Sequence, residues 1–280
     1  MRFGCHLSIR EGYLGAAKKS VSIGAKAFQY FPKNPRTLSI KDYNETDTVN
    51  CKEYCQQNGL ISVSHTPYST SLTPSENKKD FIIQSLLNDL EITDACGSVG
   101  AVVHFGSEIH KKDPLKSYQL MIEMLNHVLS KWEGGTKLLL ENNAGKPGSF
   151  GTTLEELIQV RNLCDYPEKI GFCLDTCHAF SSGLWNGDNW DDLLETGKKL
   201  GYFDHLKAIH LNNSKYDTGS GKDRHANITE GFIKENQFEQ LILTPELKGI
   251  PFILETPSVL GWTHESEIKM LYDRWGTKCH

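Results

Sequence analysis

The feature that most constrains the fold of this chain is the alternation of short apolar segments with longer amphipathic segments along its whole length. This pattern predicts eight βα units. No Pro-, Ser- or Gly-rich linker interrupts it, so we expect one domain over residues 1–280. Eight parallel strands in a chain of this length are typical of a closed (β/α)8 TIM barrel, whereas an open doubly wound sheet usually has fewer strands.

The predicted elements have the following bounds. Strands are expected at 2–6, 27–30, 61–65, 101–104, 137–141, 170–175, 206–210 and 251–255. Helices are expected at about 12–23, 42–58, 75–97, 114–132, 152–164, 191–200, 232–241 and 264–274.

Six predicted strands end on a side chain that can bind a metal ion. These residues are His65, His104, Glu141, Asp175, His210 and Glu255. The carboxyl ends of parallel strands meet at one rim of a barrel, where the active sites of this fold lie, so the six side chains should converge there. A strand-end histidine is more often structural when it stands alone, but six such residues together favour a metal site.

Three further candidates follow the sixth and seventh strands. His178 lies three residues beyond a strand-end aspartate, and Asp223 and His225 have the spacing that places two side chains on one face of an extended segment. By itself, the latter pair would be interpreted as a loop ion pair with Lys222 or Arg224. Five imidazoles and four carboxylates in all suit zinc, or zinc mixed with manganese.

Other features exclude several classes of protein. No GxGxxG follows the first strand and no Walker A sequence occurs, so we expect no nucleotide cofactor. No apolar run could span a membrane and no secretory signal is recognisable, which predicts a cytoplasmic protein. The eight cysteines, including the pairs Cys51/Cys55 and Cys173/Cys177, are expected to be reduced and structural. The net charge of −5 disfavours a general basic nucleic-acid-binding module.

Over almost its whole length, the sequence resembles the endonuclease IV family of zinc-dependent apurinic/apyrimidinic endonucleases, in the xylose-isomerase-like barrel superfamily. The matching motifs are His65-Thr-Pro-Tyr68, His104-Phe-Gly106, Glu141-Asn-Asn-Ala-Gly145, Asp175-Thr-Cys-His178, His210-Leu-Asn-Asn-Ser-Lys215, Asp223-Arg-His225, Glu230-Gly231 and Glu255-Thr256. All nine ligand positions of the family's trinuclear zinc cluster carry the residue type that the family uses.

This resemblance implies three zinc ions per chain, with Mn²⁺ an option at the third site. One ion would bind His65, His104 and Glu141. A second would bind Asp175, His210, Glu255 and the bridging Glu141, and a third would bind His178, Asp223 and His225. Glu141 and Glu255 would be catalytic, with Glu255 orienting or deprotonating the attacking water.

The implied enzyme is a hydrolase of the deoxyribonuclease IV (phage-T4-induced) type. It would cut double-stranded DNA on the 5′ side of an abasic site, leave a 3′-hydroxyl and a 5′-deoxyribose phosphate, trim blocked 3′ ends, and act as a monomer. Asn34, Arg36 and Tyr68 match family residues that contact DNA, with Arg36 inserted into the base stack. Ser69 and Phe105 depart from the family's usual leucine and proline.

Basic residues on the rim loops are candidates for phosphate contacts: Lys33, Lys146, Lys215, Lys222 and Arg224. Two alternative functions remain open. A di-metal sugar isomerase or epimerase would need only Glu141, Asp175, His210 and Glu255, leaving the other candidate ligands unexplained. A non-catalytic damaged-DNA-binding paralogue would be expected to lack a ligand, and none is missing.

Overall fold

The computed structural model describes residues 1–109, 113–259 and 261–276. Its strands are β1 Arg2–His6, β2 Ala27–Tyr30, β3 Ile61–His65, β4 Gly100–His104, β5 Lys137–Glu141, β6 Ile170–Asp175, β7 Leu206–His210, β8 Asn213–Ser214, β9 His225–Ala226 and β10 Pro251–Leu254. Its α-helices are α1 Gly12–Ser22, α2 Glu45–Asn58, α3 Lys79–Ala95, α4 Pro114–Lys131, α5 Leu154–Leu163, α6 Thr176–Ser182, α7 Trp190–Leu200, α8 Tyr202–His205, α9 Glu235–Ile242 and α10 His264–Trp275.

Eight of the strands close into a parallel barrel in the order β1-β10-β7-β6-β5-β4-β3-β2, which confirms the predicted TIM barrel. Helices cover the barrel, and the main apolar core fills the space between the two layers. At Gly4 the strands β1 and β2 approach so closely that a Cβ atom would lie 1.9 Å from the carbonyl oxygen of Ala27. Glycine is therefore needed at this position.

A second, smaller apolar cluster fills the interior of the barrel itself. Its buried members are Ala27, Val63, Val102, Leu139, Cys173, Ala208 and Ile253. Because successive side chains of a strand point to opposite faces, the residue two positions further along each strand also points inward. The inward-facing rim residues therefore lie next to this cluster, on its side toward the carboxyl ends of the strands.

Several predicted boundaries were wrong. Two helices, α6 and α8, and the antiparallel β8–β9 ribbon lie in segments for which the sequence pattern predicts turns or loops. Helix α2 begins at residue 45 rather than 42, because the Asn44 side chain accepts a hydrogen bond from the Asp47 amide and caps it. A 3₁₀ turn, Glu76–Lys78, precedes α3, α9 begins at residue 235 rather than 232, and β10 ends one residue before Glu255.

The cysteines behave as predicted where the structure describes them. All seven between Cys5 and Cys177 are buried and free, and Cys279 lies outside the described residues. Cys51 and Cys55 pack on the buried face of α2. In the described part of the chain, no helix combines the length and the apolar composition that crossing a membrane requires.

Candidate metal centre

The nine predicted ligands lie together at the carboxyl-terminal rim of the barrel. They form three groups: His65, His104 and Glu141; Glu141, Asp175, His210 and Glu255; and His178, Asp223 and His225. Within each group, one potential ligand atom per residue lies within 4.8 Å of every other. Glu141 belongs to two of the groups, so these two share a carboxylate.

Local folding explains how the residues outside the strands reach this rim. Asp175 ends β6 and caps α6, because its Oδ1 accepts a hydrogen bond from the His178 amide at 2.7 Å. This first helical turn places His178 over the carboxyl-terminal end of the barrel. The β8–β9 ribbon pairs Ser214 with His225 and so holds the segment with Asp223 against the same rim.

Glu141 lies at the centre of the cluster. Its Oε1 is 2.8 Å from Nδ1 of His210, and its Oε2 is 3.4 Å from Nε2 of both His65 and His104. Burial alone would raise the pKa of the Glu141 carboxyl, but the charges of His210 and His104 hold it well below its usual range. The carboxylate is therefore ionised, as a metal ligand must be.

Glu255 and His178 have shifted pKa values of the same origin. Burial opposes ionisation of Glu255, but the charges of His210 and His65 lower its pKa to about 2. Burial would lower the pKa of His178, but Asp175 and Asp223 raise it to about 10. In the metal-free protein, protonated imidazoles thus neutralise the carboxylates.

Two of the imidazoles are oriented by hydrogen bonds from Nδ1 to backbone carbonyl oxygens. Nδ1 of His65 contacts the carbonyl oxygen of Thr66 at 2.8 Å, and Nδ1 of His178 contacts that of Asn142 at 3.0 Å. Such contacts with carbonyl oxygens fix the tautomer of metal-binding histidines. They leave the opposite ring nitrogen, Nε2, to face the cluster in both residues.

The donor set fits metal ions. Three atoms in the cluster, Oε2 of Glu141 and Nε2 of His178 and His225, are buried and have no hydrogen-bond partner among the described residues. Buried polar atoms are seldom unpaired unless they serve another function. Imidazole nitrogens and carboxylate oxygens are common zinc ligands, and each group offers three or four of them.

The three predicted DNA-contacting residues lie on two loops beside this cluster. Asn34 and Arg36 are exposed on the β2–α2 loop, where the Asn34 Oδ1 accepts a hydrogen bond from the Arg36 amide at 3.0 Å. Tyr68 follows β3, and its amide donates to the carbonyl oxygen of Pro35 at 3.0 Å. The Tyr68 ring is 66% exposed and lies 5.1 Å from the ring of Phe31. One backbone hydrogen bond therefore joins the two loops.

Comparison with known proteins identifies the family. A family model described as a xylose isomerase-like TIM barrel matches residues 17–273. A protein of Symbiobacterium thermophilum named probable endonuclease 4 is 40% identical over 258 residues, which are 92% of this chain and 93% of the relative. The chain belongs to the endonuclease IV family.

Solved structures agree with this assignment. The crystal structure of endonuclease IV from Thermus thermophilus matches with a TM-score of 0.86 and 28% identity, and the match covers 100% of both chains. A D-tagatose 3-epimerase-like protein matches with a TM-score of 0.71 but only 17% identity, over 98% of this chain and 97% of that one. The second match shows a common fold alone.

One predicted phosphate contact in this endonuclease IV family member was wrong. Lys33 is 3% exposed, and its Nζ donates at 2.8 Å to both the carbonyl oxygen and the hydroxyl of Ser85. The same Nζ lies 3.1 Å from Oδ1 of Asp89 on α3. Lys33 therefore cannot reach a phosphate from this position. Its contacts with Ser85 and Asp89 instead attach the β2–α2 loop to α3. Lys146, Lys215, Lys222 and Arg224 are exposed, as a phosphate contact requires.

Several aromatic residues near the rim are buried. Tyr13, Trp185 and Trp190 are at most 2% exposed, so they pack within the protein and do not line a pocket. Phe105, which replaces the proline usual in the family, is also buried and packs against Phe150 at 5.2 Å. The departure at this position is thus accommodated in the core.

Two residues of the site were missed by the sequence analysis. Asn212 donates to Oδ2 of Asp175 at 2.7 Å and accepts from the Glu255 amide at 2.8 Å, so it links two candidate ligands. Gln29 contacts both His210 and Glu255. Asn212 lies in one of the matched motifs, and Gln29 is on an inward-facing position of β2, so both signals were present in the sequence.

Proposed function

We propose that this protein is an apurinic/apyrimidinic endonuclease that acts in DNA repair. It would cut the phosphodiester on the 5′ side of an abasic site in double-stranded DNA, leave a 3′-hydroxyl and a 5′-deoxyribose phosphate, and trim blocked 3′ ends. The observation that carries this proposal is the convergence of nine potential ligands in three groups, two of which share Glu141. Its similarity to proteins named endonuclease 4 and endonuclease IV supports the choice of reaction.

Three zinc ions per chain are the proposed cofactor. One would be held by His65, His104 and Glu141, a second by Glu141 with Asp175, His210 and Glu255, and a third by His178, Asp223 and His225. The third group, with two imidazoles and one carboxylate, also suits Mn²⁺. Bound zinc supplies Lewis acidity, which activates water for attack and offsets the charge that develops on the leaving oxygen.

Glu255 is the residue that we propose to orient the attacking water and accept its proton. Its side chain is 19% exposed, so it is accessible from the rim. Its amide donates to the side-chain carbonyl of Asn212 at 2.8 Å, which fixes the chain where the carboxylate projects. Because neighbouring imidazoles keep the carboxylate ionised, it can accept a hydrogen bond from water. Glu141 would act beside it as the carboxylate that the first two ions share.

Substrate access is open on the side of the third group. A cleft of about 370 Å³ is lined in part by His104, His178 and Asp223. The side chains of His104 and Asp223 are 41% and 52% exposed, so both can be reached by a phosphate or sugar in this cleft. The reacting phosphodiester would lie over the exposed edge of the cluster.

Asn34, Arg36 and Tyr68 are proposed to contact the DNA. Arg36 and Tyr68 project from two loops that a backbone hydrogen bond joins, so they can enter a distorted duplex together. Inserting a side chain that partly unstacks a base step costs a few kcal/mol. This cost is smallest where a base is already missing. This cost gives a physical reason for a preference for abasic sites.

We further propose that residues 1–280 form one domain that acts as a cytoplasmic monomer without a nucleotide cofactor; these points rest on the sequence and the resemblance alone. The alternative of a di-metal sugar isomerase or epimerase is less well supported. Such an enzyme would need only the group that contains Glu141, Asp175, His210 and Glu255. The other five clustered residues would then have no function. A non-catalytic DNA-binding paralogue would be expected to lack one of the nine side chains.

Metal analysis combined with DNA cleavage tests the proposal. The purified protein should contain about three metal ions per chain and cut a duplex that carries one stable abasic analogue. A chelator should abolish the incision, and zinc should restore it. An otherwise identical duplex without the abasic analogue should stay intact. Fewer metal ions, no incision and interconversion of ketose and aldose sugars would instead favour the isomerase.

A further inference from the structure

Each barrel strand presents one inward-facing position at the rim, two residues beyond the apolar interior. On six strands or strand ends, this position is a candidate metal ligand: His65, His104, Glu141, Asp175, His210 or Glu255. On β1 and β2, it is occupied by His6 and Gln29, which are paired in register. Since neither residue belongs to a ligand group, both need another explanation.

The Gln29 side chain is fully buried, and both polar atoms of its amide are hydrogen-bonded. Its Oε1 lies 2.7 Å from Nε2 of His210. Its Nε2 donates one hydrogen to Oε1 of Glu255 at 2.7 Å and contacts Nδ1 of His6 at 3.1 Å. A buried amide whose oxygen and nitrogen are both hydrogen-bonded holds its neighbours in one arrangement. Gln29 thus connects a candidate ligand, the proposed base and the remaining histidine of the rim.

The chemistry of these partners determines how the amide is oriented. A carboxylate such as Glu255 only accepts hydrogen bonds, so it must face the NH₂ group of Gln29. The flipped amide would place its carbonyl oxygen against this carboxylate. Oε1 of Gln29 consequently faces His210 and can only accept a hydrogen bond from its Nε2.

The orientation of Gln29 in turn fixes the tautomer of His210. Because Nε2 of His210 must carry a hydrogen, Nδ1 is the ring nitrogen that can bind a metal ion. Nδ1 does face the carboxylates, at 2.8 Å from Glu141, 3.2 Å from Glu255 and 3.7 Å from Asp175. Hydrogen bonds of this kind orient histidine ligands and increase their basicity.

We propose that Gln29 is a positioning residue of the metal centre: it holds His210 in the tautomer that presents Nδ1, and it holds the Glu255 carboxylate toward the same group. This inference rests on the proposed function for the role of Glu255 but on the geometry alone for metal binding. Gln29 itself is fully buried and belongs to none of the candidate ligand groups.

The test compares two glutamine-to-methionine variants of similar side-chain volume. Gln29→Met removes all the amide contacts, whereas Gln237→Met removes a buried glutamine that bonds the Lys234 amide and Asp188, neither of which is a candidate ligand. Metal-free proteins are titrated with Co²⁺, whose visible absorption reports the ligand geometry, and then with Zn²⁺ in competition. Gln29→Met should weaken binding at the group with His210 by about 10- to 100-fold and change the Co²⁺ spectrum, and Gln237→Met should do neither.

Cleavage at saturating metal provides the second measurement. Gln29→Met should lower kcat on the abasic duplex by at least about tenfold and leave KM unchanged, because the residue is buried. Metal affinity, spectrum and kcat equal to those of Gln237→Met would overturn the proposal. If the wild type binds metal but does not cut DNA, the proposed nuclease function fails, while the affinity comparison still decides the role of Gln29.

A second variant covers the case in which Gln29→Met does not fold. In Gln29→Glu, the new carboxyl group still accepts from His210, but an oxygen replaces the NH₂ group that faces the Glu255 carboxylate. Its metal affinity should therefore stay within about tenfold of the wild type, and its kcat should fall. Metal affinity lost by more than this margin would show that the contact with His210 is not what Gln29 provides.

Discussion

Replacing Lys33 by methionine tests the buried ion pair beneath the β2–α2 loop. The side chains of Lys33 and Asp89 are 2% and 0% exposed, and their charged atoms are 3.1 Å apart. Apart from Lys33, neither Asp89 oxygen has a partner for a hydrogen bond among the described residues. Lys33→Met would therefore leave a buried carboxylate without its cation, which costs about 3–5 kcal/mol.

This cost converts into a measurable shift in Tm. At about 2.1 cal/mol/K per residue, the unfolding entropy of 280 residues is roughly 0.6 kcal/mol/K, so Tm should fall by about 5–9 °C. Differential scanning calorimetry at pH 8 measures it on the metal-free protein. Lys199→Met is the matched control, because Lys199 pairs with Glu195 in solvent and such ion pairs contribute little.

The loss should also depend on pH. Burial raises the pKa of Asp89 from 3.8 to about 7, although Lys33 partly offsets this effect. The folded state therefore binds a proton that the unfolded state releases, and the Asp89 contribution to stability falls as the pH rises from about 4 to 7. At pH 5, Asp89 is protonated and Lys33→Met should cost less than at pH 8. Equal Tm values for Lys33→Met and Lys199→Met at pH 8 would refute the reasoning.

Three further predictions concern the proposed reaction. Glu255→Gln should lower the incision rate by about 10²–10⁴-fold with little change in Tm, and retained activity would remove Glu255 from the mechanism. Arg36→Ala should weaken binding of an abasic duplex more than it slows hydrolysis of a small phosphodiester, and Arg274→Ala, in the last turn of α10, should do neither; equal losses on both substrates would contradict a DNA contact. Because burial lowers the pKa of His178 but Asp175 raises it to about 10, metal must displace a proton there, and affinity should fall about tenfold for each pH unit below this value. Metal analysis after dialysis at pH 5.5 should find fewer bound ions than after dialysis at pH 8, whereas an equal metal content at both pH values would contradict this competition.

The strand-borne part of the site was predictable from the sequence because its geometry follows from strand periodicity. His65, Glu141 and His210 end strands whose carboxyl ends must meet at one rim, so no long-range information was needed. Asp223 and His225 were different, since they lie in a long segment between strands. Their spacing also fits an exposed ion pair, and only the family motif indicated their place. The β8–β9 ribbon that holds them has two residues per strand, too few for a recognisable pattern.

Lys33 illustrates what the sequence could not indicate. It lies among polar loop residues, a context in which lysine is usually solvated. Its burial depends on Asp89, which is 56 positions away on a helix whose local pattern does not reveal that partner. Gln29 was missed for a different reason. Glutamine is not a common zinc ligand, so the sequence did not mark Gln29 as part of the site. Its position on β2 is nevertheless equivalent to those of the candidate ligands on the other strands.

The net charge of −5 has a different meaning once the site is described. Four of the acidic residues counted in it are candidate ligands, and three of these carboxylates, on Glu141, Asp175 and Glu255, lie within contact distance of His210. In the metal-free protein protonated imidazoles neutralise them, and three divalent cations would bring the whole chain close to neutrality. The count of acidic residues therefore overstates the negative potential that DNA would meet at the rim. With exposed Lys146, Lys215, Lys222 and Arg224 around the cluster, an acidic composition is compatible with an anionic substrate.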